Sequence, residues 1–259
     1  MKRLLAIDTA GPVLGLAVLD QGRIQHAVDR SGPLQHVEHI VPQIAALLEE
    51  VGWPIATLDA VAVSAGPGSF TGLRVGMAAA KAVALAGGIP VVSIDTLMAL
   101  AATEQYHQEI TAPPSAADRP STIVPVLDAR KRQFYAAAFR NNNTLDRLSE
   151  DRDLPLEEVR RMVRGLLSSE HPSWCVPGAM GSWFEADPGY VPAVVQTASA
   201  AVGTARLGYR LTHRGTIAEG NYAHDSYADD SYQGPFYLRS GDIGVRSSVP
   251  RFASREDAN

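Results

Sequence analysis

Apolar residues in this chain fall at two spacings, and each change from one to the other marks an element boundary. Residues 4–7 form a short apolar run ending at Asp8 and Thr9. Residues 13–19 form a second run, and Asp20-Gln21-Gly22-Arg23 supplies a turn before Ile24 opens a third. Three extended runs joined by turns predict an antiparallel meander. Val37, Ile40, Val41, Ile44, Leu47, Leu48 and Val51 then recur at intervals of three and four, a helical stripe closed by Gly52 and Pro54. Pro42 lies inside that stripe and predicts a kink or a late helix start. Residues 58–64 read as a buried strand and 70–86 as a helix stopped by Gly87-Gly88. A strand over 89–94 and a helix over 96–105 follow. The order βββαβαβα implies a mixed sheet with helices on its faces.

A second round begins after residues 111–121, a Pro- and Ser-containing stretch that reads as a surface linker. Residues 123–127 and 134–139 predict paired strands, with Asn141-Asn142-Asn143 as a loop. A helix over 156–167, a short strand over 174–176 and a helix over 198–211 complete it, the last with Arg206, Arg210 and Arg214 on one face. The expected class is α/β. A first lobe is expected over 1–104, a smaller second lobe over 105–240, and a flexible tail over 241–259.

Composition narrows the function classes. A chain of 259 residues, 46% hydrophobic and 20% charged, is neither disordered nor fibrous. Lys and Arg number 23 against 28 Asp and Glu, which argues against gripping nucleic acid through a globally basic surface. No apolar run approaches the roughly 20 residues that span a bilayer. Charge comes too early at the N-terminus for a secretory signal, so a soluble cytoplasmic chain without membrane contact is expected. Cys175 is the single cysteine, which removes an internal disulfide and a thiolate zinc cluster. Beside Trp174 it reads as a core residue.

The strongest chemical signal is the run from Ser64 to Gly72, Ser-Ala-Gly-Pro-Gly-Ser-Phe-Thr-Gly, lying between an expected strand and an expected helix. Free N–H groups and a helix dipole collect at such a junction, so it reads either as a phosphate loop or as a tight turn whose glycines serve packing. No Lys follows the last glycine, so it is not a Walker A loop. Gly72, Gly76, Ala79, Ala80 and Val83 form a strip of small residues along the helix, suited to close packing on an internal sheet or on another subunit. Asp8 and Asp128 end corresponding strands of the two rounds, where paired acids could hold a divalent metal, or simply shape turns. His36 and His39 lack an evident third ligand, and neither a Gly-x-Ser-x-Gly elbow nor a His-Glu-x-x-His helix occurs. Arg206, Arg210 and Arg214 suit either RNA phosphates or a solvated face.

Several strings resemble one family. They are Leu5-Ala6-Ile7-Asp8-Thr9-Ala10, His36 with Ile40-Val41-Pro42, residues 58–63, and Gly66-Pro67-Gly68-Ser69-Phe70-Thr71-Gly72-Leu73-Arg74-Val75-Gly76. Gly88-Ile89-Pro90-Val91-Val92 with Thr96-Leu97, Asp128-Ala129-Arg130 with Tyr135, and Pro235-Phe236-Tyr237-Leu238-Arg239 extend the likeness. It is dense over 4–102 and is to the bacterial TsaB (YeaZ) family.

The resemblance implies an actin-like ATPase (ASKHA) fold, with two related lobes each built on a mixed sheet flanked by helices. It implies a non-catalytic subunit in the synthesis of threonylcarbamoyladenosine (t6A) on tRNAs reading A-starting codons. The implied partners are the catalytic TsaD subunit, the TsaE ATPase and, through the complex, tRNA, with self-association of the isolated chain also conceivable. The catalytic relative carries a metal-binding His-x-x-x-His after its Gly-Ile-Pro strand; here that stretch is Asp95-Thr96-Leu97-Met98-Ala99-Leu100, so no metal and no catalytic residue are expected. Asp8, Thr9, Gly66, Gly68, Ser69 and Asp128 become remnants of a degenerate nucleotide cleft, with Gly178-Ala179-Met180-Gly181 left from an adenosine turn; no cofactor is expected on this chain, and ATP is used by the partners. The family's pairing maps onto His36, Ile40, Ile44, Gly72, Gly76 and Ala80. An ATP-dependent phosphotransferase of the same superfamily is the alternative; a peptidase lacks a nucleophile or ligand set.

Overall fold

The computed structural model describes residues 3–31, 35–111, 121–142, 144–166, 172–177 and 193–213. The meander forms as expected: β1 (Arg3–Asp8), β2 (Val13–Asp20) and β3 (Arg23–Ser31) pair antiparallel. β4 (Ala60–Gly66) and β5 (Val91–Asp95) add in parallel beside β1, giving the order β3-β2-β1-β4-β5. β1, β2 and β4 are apolar almost throughout because both their faces are covered, whereas the edge strand β3 alternates between exposed and half-buried positions.

Side-chain alternation sorts the core into two layers. Leu5, Ile7, Leu16, Val18, Val61 and Val63 point toward α1 (Gln35–Glu50) and α2 (Phe70–Gly87). Leu4, Ala6, Ala17, Ala60 and Ala62 point the other way, toward α3 (Thr96–Thr111) and α5 (Ala201–His213). The second face is alanine-rich because α3 and α5 approach closely. A Cβ at Gly203 would lie 1.8 Å from the Ala99 carbonyl oxygen, and one at Gly208 would lie 2.7 Å from Ala62 Cβ. Pro42 sits exposed within α1 and neither ends it nor delays its start.

The second sheet has the order β10-β7-β6-β11-β12. It comprises β6 (Thr122–Asp128), β7 (Gln133–Ala136), β10 (Arg152–Pro155), β11 (Pro172–Pro177) and β12 (Ala193–Thr197). β8 (Phe139–Asn141) pairs with β6 and with β9 (Leu145–Arg147). β6 runs antiparallel to β7 and parallel to β11, so this sheet too is mixed. α4 (Leu156–Leu166) covers it with Val159 and Val163 against Val124, Val126 and Phe134.

Three expectations shift. The single strand over 134–139 is two, because β7 pairs with the end of β6 and β8 with its beginning. α3 continues past 105 to Thr111, so the expected lobe boundary at 104/105 falls inside a helix. α5, expected in the second lobe, packs on the first sheet. Residues 112–120, 178–181, 235–239 and 241–259, and Arg214, lie outside the described residues.

The extension of α3 buries polar groups. Glu104 is 1% exposed; Gln108 donates to one carboxylate oxygen at 2.6 Å, and the other oxygen has no hydrogen-bond partner. Burial pushes its pKa from 4.5 up to about 7, with the Gln108 bond opposing. A raised folded-state pKa means the contribution to stability is full below about pH 4.5 and is lost as pH rises through about 7, about 3 kcal/mol in all. Asp95 adds to the same trend, since burial and the neighbouring Asp151 push it up to about 8 despite Arg147 at 3.1 Å. The thermal midpoint should therefore fall between about pH 5 and pH 8, and Glu104→Gln should reduce that slope and stabilise the chain at pH 8. An unchanged slope in calorimetry would contradict the assignment.

Candidate functional site

The glycine turn joins β4 to α2, and its groups are answered by the chain itself. Ser69 caps α2 by accepting the Gly72 N–H at 3.2 Å, and Leu73 N–H bonds the Ser69 carbonyl at 2.8 Å. Ser69 N–H donates to the Ala10 carbonyl at 2.8 Å, and Gly66 N–H donates to the Thr96 hydroxyl at 3.1 Å. Gly66 has φ 131°, which favours glycine. Gly68 lacks a side chain because Ala10 is there: an added Cβ would meet the Ala10 carbonyl oxygen at 2.7 Å. A carbonyl thus faces the turn where a bound anion would need donors.

Asp8 and Thr9 hold this corner closed. Asp8 is 2% exposed, and its two carboxylate oxygens accept N–H groups from Ala10 at 3.1 Å and Ala200 at 2.6 Å. Burial raises its pKa, while those bonds and the Ser64 hydroxyl oppose. Thr9 donates its hydroxyl to the Gly72 carbonyl at 2.7 Å. Asp8, Thr9, Gly66, Gly68 and Ser69 therefore meet at one corner of the first sheet. Asp128 lies on the β6–β7 turn of the second sheet and closes on its own neighbour, accepting Arg130 N–H at 2.7 Å. Among the described residues no group of three or more His, Cys, Asp or Glu is placed to hold a metal. His39 is half-buried on α1; the side chain of His36 lies outside the described residues.

Five of the residues mapped as a partner interface are buried, and Ile44 among them also lines the groove between α1 and α2. Ile40 and Ile44 are core residues, and Gly72, Gly76 and Ala80 are buried within this chain. The small strip serves β1: a Cβ at Gly72 would lie 2.0 Å from the Thr9 carbonyl oxygen, and one at Gly76 would lie 2.2 Å from the Thr9 hydroxyl. The outward sides of the same helices carry exposed apolar residues beside these buried ones. Between α1 and α2 runs a groove of about 650 Å³, lined by Val41, Ala45, Leu48, Trp53, Ala82 and Ala86 among others. Val41 is 65% exposed and Leu85 on α2 is 87% exposed. Sequence reading passed over this surface, although Val41 with Ala45 and Ala78 with Ala82 and Ala86 repeat at i, i+4 where a solvated face would carry charge.

A second feature gave no signal in the sequence. Arg130, Lys131 and Arg132, in the β6–β7 turn, have φ of 66°, 53° and 60°. Left-handed backbone disfavours such side chains by about 1 kcal/mol or more each.

Residues 33–168 match the family model described as TsaD, tRNA N6-adenosine threonylcarbamoyltransferase. The tRNA threonylcarbamoyladenosine biosynthesis protein TsaB of Escherichia coli K12 is 29% identical over 140 residues, 54% of this chain and 56% of the relative. The protein of the same name from Bacillus subtilis 168 is 27% identical over 162 residues, 62% of this chain and 66% of the relative. The chain thus spans less than two thirds of the length of either. The structure of YeaZ from Pseudomonas aeruginosa superposes with a TM-score of 0.68 over 92% of this chain and all of that one, at 23% identity. The fold is of the actin-like ATPase class, with a mixed sheet and flanking helices in each half.

If Gly72 is needed for the approach of Thr9, Gly72→Ala should lower stability by about 1–3 kcal/mol in denaturant titration. Ala82→Leu, on the exposed side of the same helix, should stay within about 0.5 kcal/mol of the parent. Equal effects would contradict the packing described.

Proposed function

This chain belongs to the TsaB/YeaZ family, and on that premise we propose that it is a non-catalytic subunit of a tRNA threonylcarbamoyladenosine synthesis assembly. It docks on a TsaD-type catalytic subunit, which transfers threonylcarbamoyl from threonylcarbamoyl-AMP to adenosine of tRNAs reading A-starting codons. A TsaE-type ATPase and tRNA join through that assembly, in the cytoplasm.

The observation that carries the reading is the apolar groove between α1 and α2. These helices bury one face on their own sheet and keep Val41, Ala45, Ala82, Ala86 and Leu85 on the other, where water gains nothing from them. Covering such a surface stabilises a complex by about 25 cal/mol per Å² of apolar area before association costs. The interface residues of this proposal are therefore Ile44, which lines the groove, and the outward neighbours of Ile40, Gly72, Gly76 and Ala80.

The closed glycine turn and the composition of α3 support the absence of chemistry on this chain. Leu97, Met98 and Leu100 follow β5 where the resemblance places the metal-binding histidines of the catalytic relative, and each is at most 1% exposed in the core. The phosphotransferase alternative needs a turn that offers N–H groups to phosphate, and here Ala10 and Thr9 occupy that turn.

Ala82→Arg would place a long charged side chain in a groove whose lining is apolar apart from Glu49, at an exposed position outside the core. Co-purification with a TsaD-type partner should weaken at least tenfold while the thermal midpoint of the isolated chain stays unchanged. Undiminished pairing would remove the groove from the account.

A further inference from the structure

We propose that the β6–β7 turn, Arg130-Lys131-Arg132, is a contact for the phosphate backbone of RNA. The naming of tRNA as its source rests on the function proposed above; the phosphate chemistry does not. All three residues are exposed and left-handed, with φ of 66°, 53° and 60°. Glycine or asparagine would form the same turn with less strain, so closing the hairpin does not by itself call for three long cationic side chains.

Local charge points the same way. Within residues 128–132 three cationic residues stand against one carboxylate, Asp128, which accepts the Arg130 N–H at 2.7 Å and lies 3.5 Å from that guanidinium. Over residues 121–166, Lys and Arg number nine against seven Asp and Glu, whereas over 3–111 they number five against ten. In a chain of net charge −5, residues 121–166 are thus net positive where 3–111 are net negative; residues 193–213 add Arg206 and Arg210 with no acid. An exposed hairpin tip with two guanidinium groups and an ammonium suits a chain of evenly spaced phosphates, to which arginine bonds through two parallel N–H groups. A single nucleotide would want an enclosure that a hairpin tip does not offer.

The test replaces Arg130→Asn, Lys131→Asn and Arg132→Gly together in the full chain, giving the left-handed turn residues that tolerate it. Binding of a tRNA transcript is measured by fluorescence anisotropy between about 50 and 200 mM salt. The parent should bind, and the variant should bind at least tenfold more weakly at the lower salt. Its log–log salt slope should be shallower by about 2, the release of ions from roughly three phosphate contacts. The thermal midpoint should be unchanged or higher, which separates lost charge from lost folding. Equal affinity and slope, or no binding by the parent at low salt, would overturn the inference. So would loss of pairing with the TsaD-type subunit while RNA binding persists, since the turn would then serve a protein partner. Because RNA binding is read without that subunit, failure here leaves the groove test untouched, and the converse also holds.

Discussion

The fold turns on how Asp8 is held. Its buried carboxylate takes one N–H from Ala10, two residues on, and one from Ala200, 192 residues on. The first bond shapes the turn after β1; the second ties that turn to the chain entering α5. Thr9 then bonds the Gly72 carbonyl, and Ser64 meets Thr204 at 2.9 Å across β4 and α5. A buried carboxylate is tolerated only while such donors remain in place. The glycine turn from Gly66 to Ser69 lies at this same corner, so the contacts that stabilise the chain also fill that turn.

That closure divides the work between faces. The inward sides of α1 and α2 are matched to β1 and β4, down to the glycines that admit Thr9. The outward sides carry apolar residues that the chain itself leaves uncovered. In the proposed function, docking would use the outward side of this helix pair while folding uses the inward side.

Much of this was legible in the sequence where period and burial agree. The meander, α1, α2 and the strands β4 and β5 follow from apolar runs and three-four spacing. β9 and β10 did not show, because three- and four-residue strands bearing Asp146, Arg147, Arg152 and Asp153 have no hydrophobic period. α3 was read short because Thr103, Glu104 and Gln105 look like a polar end yet are buried. The glycine turn was found, but not that Ala10 fills it, a contact between residues some 58 positions apart. Gly72, Gly76 and Ala80 were legible as a strip for close approach, but not that Thr9 of the same chain is what approaches, since small residues do not say what meets them. The left-handed run at Arg130 to Arg132 was invisible, because no residue there favours positive φ.

The central claim is that this chain contributes by docking and leaves the transfer to a companion. Its most direct test is transfer of threonylcarbamoyl from threonylcarbamoyl-AMP to a tRNA transcript, with this chain and a TsaD-type subunit supplied separately and together, alongside the TsaE-type ATPase. The account predicts no modified adenosine from this chain alone and a marked gain when it joins the catalytic subunit. Sustained transfer by this chain without that subunit, or no gain on adding it, would contradict the account.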